Sequence, residues 1–115
     1  MSLTEREQFF YDVAGFSYDP KTETEDEGRR RCARDLAAAE ERLQNGNYIV
    51  SVEPDPEPWD GDFPYDGPLW IVTVWGAMSG RPNTLGAVGS VACPSVDDPY
   101  IRVVAAELAA EHIPA

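Results

Sequence analysis

Leu69 to Met78 reads LWIVTVWGAM. Alternation divides it into Leu69, Ile71, Thr73 and Trp75 on one side and Trp70, Val72, Val74 and Gly76 on the other, because successive strand side chains point to opposite faces. Both sets are apolar, so Leu69 to Ala77 reads as the central strand of a sheet. It is about half as long as the roughly 20 residues a membrane-spanning helix requires.

Two further strand candidates flank it. Tyr48-Ile49-Val50-Ser51-Val52 is β-branched and bounded by turn residues. Leu85 to Ala92 contains Gly86 and Gly89, which either weaken the strand or mark a site of close packing. Between strands two and three, Ser79-Gly80 with Arg81-Pro82-Asn83 reads as a hairpin turn.

Helices are expected on both sides of these strands. Thr24 and Glu27 have capping-box spacing, with Glu25, Asp26 and Glu27 suited to the positive end of a helix running to about Gln44. Cys32, Leu36, Ala39 and Leu43 form its apolar stripe, and Asn45-Gly46 supplies the stop. Asp98-Pro99 reads as an N-cap followed by a first-turn proline, opening a last helix with Tyr100 or Ile101, Val104, Leu108 and Ile113 inward. Near the start, Ser2 and Glu5 suggest a short helix over 3–13 that presents Phe9, Phe10 and Val13. The predicted fold is α+β and two-layered, in α-β-β-β-α order. A three-stranded antiparallel sheet packs on two helices, and a short N-terminal helical segment precedes them. The 115 residues suit a single domain over 1–115, with 1–23 an N-terminal extension packing on the core or swapping from it.

Charge narrows the partners. The chain has 21 acids against 9 bases, a net of −12, which argues against direct binding to nucleic acid or an anionic membrane. The excess is patterned: −6 over 1–27, +2 over 28–46, −6 over 47–68 and −2 over 69–115. One histidine and two cysteines are too few for a four-ligand zinc site, and no metal or cofactor is expected. Glu5, Arg6 and Glu7 occupy the region where a signal peptide would carry its apolar run, so a cytoplasmic protein with Cys32 and Cys93 as free packing thiols is expected.

The α-β-β-β-α order resembles the double-stranded-RNA-binding domain in topology. That family's activity needs bases at the start of the last helix, where this chain has Asp97-Asp98-Pro99 and then only Arg102. The topology is retained and the activity is not.

The segment EPDPEPWDGDFPYDGP, Glu53 to Pro68, is the most unusual in the chain. Prolines stiffen it, and its six acids alternate with Trp59, Phe63 and Tyr65. Asp60-Gly61-Asp62 hints at calcium, but Pro64, Tyr65 and Ile71 occupy positions where an EF-hand needs other residues. A solvated surface loop is the bland alternative. The sharper expectation is a recognition loop with Asp55, Glu57, Asp60, Asp62 and Asp66 as phosphate surrogates and Trp59 and Tyr65 as anchors. Solvated acids keep ordinary pKa values, and no glycine-rich phosphate cradle is present, so an enzyme is not expected. Arg29, Arg30, Arg31 and Arg34 are expected to pair with neighbouring acids rather than to form a basic patch.

Two stretches, GFSYDPKTETEDEGRRRCARDLAAAE (Gly15 to Glu40) and DDPYIRVVAAELAAE (Asp97 to Glu111), carry a resemblance. Together with the tryptophan-rich strand they resemble small functionally unassigned proteins of actinobacterial phages and prophages. The resemblance implies an accessory protein acting inside a host cell and assigns no residue a role. The expected function is a non-enzymatic factor that occupies the basic surface of a host or defence complex, of CRISPR or restriction type. Alternatives are a homo-oligomerising module pairing through Phe9, Phe10, Phe16 and Tyr18, or a nucleotide-sequestering protein using Arg29 to Arg31.

Overall fold

The computed structural model describes residues 2–57, 61, 67–78 and 80–114, with the side chains at 82 and 83 outside that description. The elements are α1 (Glu5–Val13), α2 (Glu25–Asn45), β1 (Ile49–Pro54), β2 (Trp70–Met78), β3 (Arg81–Cys93) and α3 (Asp98–His112). The class is α+β: three antiparallel strands in the order β1-β2-β3, with helices packed on one face.

β2 is the central strand, and one of its faces carries the core. Val72 and Val74 have no exposure and pack with Cys93 of β3, Val104, Ala105, Leu108 and Ala109 of α3, and Ala39 and Leu43 of α2. On the opposite face Trp75 stays half-buried and its indole N–H donates to the Ser51 hydroxyl at 2.7 Å. β3 is longer than the sequence suggests and includes Arg81-Pro82-Asn83, expected as part of the turn. Met78 pairs with Arg81, so the hairpin closes over two residues, and Gly80 takes φ 75°. The pairing shifts between Val74–Gly89 and Trp75–Ala87, leaving Val88 as a bulge that packs against the core.

The glycines of the sheet are close-packing sites. A Cβ at Gly76 would lie 2.7 Å from the Tyr48 ring, and one at Gly89 would collide with His112. Tyr48 thus covers Gly76 across the strand pair, and the C-terminal end of α3 seats on Gly89.

α2 follows its expected box: the Thr24 hydroxyl accepts from Glu27 N, and the Glu27 carboxylate accepts from Thr24 N. Its buried face is wider than the predicted stripe, since Ala33, Ala37 and Glu40 join Leu36, Ala39 and Leu43 while Cys32 is only half-buried. Three termini differ from expectation. α1 is capped by Thr4 with Glu7, not Ser2 with Glu5; the later frame places both Glu5 and Glu7 in the first turn. After α2, Gly46 keeps φ −92° and Asn47 takes the left-handed conformation at φ 59°. Before α3 the N-cap is Asp97 rather than Asp98, and its side chain makes no capping bond.

α1 is part of the domain. Phe10, 1% exposed, packs with Ala33, Leu36, Ala37 and Ala106, and Phe9 packs against the same cluster. Phe9 and Phe10 therefore leave the aromatic surface expected for pairing copies. Phe16 and Tyr18 stack on each other outside that cluster.

Candidate partner-binding site

The acidic segment is held at its base by the sheet. Pro54 pairs with Trp70, and Trp70 pairs with Cys93, so the segment leaves from the same end of the sheet as the β3–α3 turn. Beyond that last pair, Asp55 N donates to the Leu69 carbonyl at 2.9 Å, and Leu69 is buried. The Asp55 carboxylate accepts from Glu57 N at 3.0 Å, closing a local side-chain turn. Both ends of the segment are therefore anchored next to the core. Of the predicted contact residues, Asp55 is half-buried and Glu57 exposed, and the structure brings these two together at the neck. Trp59, Asp60, Asp62, Tyr65 and Asp66 lie outside the described residues. Sequence reading gave Asp55 only a contact role; its turn-forming bond depends on where the strands end.

The distribution of charge around this end follows from how the cations are used. Arg30 pairs with Asp26 at 2.8 Å, as the i,i+4 spacing predicts, whereas Arg31 reaches back eight residues to Glu23 at 2.9 Å, ahead of the helix. Arg31 also donates to the Ser17 carbonyl. The Arg29 guanidinium lies over the Tyr11 and Phe16 rings, 4.9 and 5.4 Å from their centroids. Arg6 and Arg102 both bind Glu40, and Arg42 donates to the Ile113 carbonyl. These side chains hold helices to one another and to the N-terminal connector. Among the described residues, Arg29 to Arg31 are therefore engaged in these internal contacts rather than grouped around one pocket.

Charge is thus divided unevenly along the chain. Residues 1–46 hold seven bases and a net of −4, most of it interleaved with the arginines. Residues 47–115 hold ten acids against Arg81 and Arg102, a net of −8. Arg102 is committed to Glu40, and Arg81 stands at the opposite, hairpin end of β2 and β3. Hence Glu53, Asp55 and Glu57 at the neck have no ion pair among the described residues.

Titration adds detail at the helix ends. The hydrogen bond from Thr4 N holds the Glu7 carboxyl below its ordinary range, that from Arg31 does the same for Glu23, and the Tyr11 hydroxyl, with Arg30, lowers Asp26. Burial pushes the Cys32 and Cys93 thiols up, which suits packing rather than nucleophilic use. Among the described residues no group of three or more His, Cys, Asp or Glu side chains is arranged to hold a metal ion. No helix among them is long and apolar enough to cross a membrane. Set against known protein families, curated proteins and solved structures, the chain matches none of them.

Proposed function

We propose that this protein is a non-enzymatic binding factor that occupies a basic, nucleic-acid-binding surface of a partner protein with its acidic segment. The observation that carries the reading is the partition of charge. Seven of the nine cations sit in the first 46 residues, largely tied up in internal contacts, while the sheet end that anchors the segment is left acidic. Carboxylates fixed on a stiff scaffold can stand where phosphates would lie, and complementary charge speeds association. The resemblance to phage and prophage proteins supplies the setting, an accessory factor acting on a host or defence complex.

The test is capture from an actinobacterial lysate with the full chain as bait. Recovered proteins are expected to be released by duplex DNA and by salt of about 1 M, where the screening length falls to about 3 Å. A variant carrying Asp55→Asn, Glu57→Gln, Asp60→Asn, Asp62→Asn and Asp66→Asn is expected to lose the capture. Recovery that ignores both DNA and the five substitutions overturns the reading.

A further inference from the structure

The exposed side of α3 carries a second feature that the acidic segment does not explain. Two hollows flank it, of about 290 Å³ on the β3 side and about 400 Å³ on the α1 side, and both are lined by Tyr100, Val104 and Glu107. Their apolar parts are unusually open: Val13 is 47% exposed, Val91 42% and Tyr100 40%. Their charged lining is acidic, from Asp97 on the α1 side and Glu111 on the β3 side with Glu107 between them, and no Lys or Arg lines either hollow. His112, which lines the β3 side, meets Glu111 at 3.8 Å. Glu107 has no ion pair or hydrogen bond among the described residues. Glu107 is exposed on α3, and the partial burial of its carboxyl against the neighbouring side chains raises it above the ordinary range.

We infer that this face of α3 docks a basic amphipathic helix of a protein partner, apolar side chains entering the two hollows and Lys or Arg meeting Asp97, Glu107 and Glu111. The inference rests on the reading of a basic partner and gives it a contact surface separate from the acidic segment. Dimensions favour a helix over a small molecule. The surface follows α3 from Pro99 to His112, about 20 Å at 1.5 Å per residue, and it is split by a ridge rather than closed around one cavity. Helix recognition needs such spaced apolar anchor points with flanking charges. Acidic rims around exposed valines and a tyrosine fit a basic apolar face and repel an acidic one.

The experiment uses the 15N-labelled full chain and a peptide of about 18 residues, long enough to turn helical, with Leu at i, i+3, i+4 and i+7 and Lys elsewhere. A scrambled peptide of the same composition is the control. Amide shifts are expected over Val91 to Cys93 and Tyr100 to Glu111, with the ordered peptide binding at least about tenfold tighter than the scramble. Tyr100→Ala with Glu107→Gln, both at exposed positions, is expected to lose that preference while its spectrum stays dispersed as in a folded protein. The five-substitution variant of the acidic segment is expected to keep it, so failure of this surface and failure of the capture assay are read separately. Equal binding of both peptides, shifts confined to Glu53 to Glu57, or an unchanged Tyr100→Ala/Glu107→Gln variant each overturn the inference.

Discussion

Arg102 grips Glu40 across 62 residues of sequence, its Nε and Nη2 donating to the two carboxylate oxygens at 2.6 and 2.8 Å. Glu40 is 4% exposed, and Arg6 Nε reaches the same carboxylate at 3.1 Å. The Arg102 guanidinium also lies 3.9 Å from the Phe9 ring centroid. One buried charge thus ties α1, α2 and α3 together. Removing one partner of a buried pair costs about 3–5 kcal/mol, and because Arg102 is part-exposed, Arg102→Ala is expected to cost about 2 kcal/mol. Arg102→Lys keeps the charge and loses the fork, and should fall between it and wild type. Urea midpoints with unchanged slopes check both.

Glycine substitutions should divide by position. Gly76→Ala drives a methyl group into the Tyr48 ring at 2.7 Å and is expected to destabilise by about 2 kcal/mol. Gly15 has nothing within 4 Å of an added Cβ, so Gly15→Ala should stabilise by about 0.5 kcal/mol through the unfolded chain. Thermal midpoints moving in opposite directions would bear this out, and movement in the same direction would refute it.

The helix caps make a second pair of contrasts. Thr24 makes the capping bond to Glu27 N, and Thr24→Ala is expected to cost about 1 kcal/mol. Asp97 makes no such bond, so Asp97→Ala should cost no more than about 0.5 kcal/mol. Equal losses in chemical denaturation would contradict the assigned geometry.

Glu107 makes stability depend on pH with a defined sign. Its carboxyl is raised from 4.5 by burial, so the folded state holds the proton more tightly than the unfolded state. Its stabilising contribution is full below pH 4.5 and is lost as pH rises through the folded value. Tyr100, Glu111, His112 and Cys93 share its hollow and add no lysine or arginine that would reverse this. Glu107→Gln is therefore expected to be more stable than wild type at pH 7, by no more than about 0.5 kcal/mol for so exposed a group, and to lose that advantage near pH 4. Denaturation midpoints measured at both pH values check it.

The features legible in the sequence were those set by short spacing. Alternation from Leu69 to Ala77 marked the central strand, and Thr24 with Glu27 marked the start of α2. Errors arose where two short signals competed. Ser2–Glu5 and Thr4–Glu7 have the same spacing, as Asp97 and Asp98 offer the same side chain, and tertiary packing chooses between them. β3 begins at Arg81, ahead of the expected Leu85: Arg81-Pro82-Asn83 beside Ser79-Gly80 look like one longer turn, while Gly86 and Gly89 inside the strand make room for Met78 and His112. At the candidate site, the acid-aromatic composition of 53–68 was plain. The Asp55–Leu69 bond that ties its base was not, because it follows from strand register. The hollows beside α3 were invisible for the same reason: they exist only between elements.

α3 stands between two apolar clusters, giving Val104, Leu108 and Ala109 to the sheet and Ala106 to the cluster of Phe10 and Leu36. It is also the last of the six elements to leave a ribosome. Until it emerges, Val72 and Val74 lack the part of their cover that Val104, Leu108 and Ala109 supply, and the α1–α2 hairpin has an open seam. Both clusters are therefore completed only when α3 is present, as expected for a domain that folds as a unit. A nascent chain interrupted before Asp98 would present both unfinished surfaces at once to chaperones and proteases.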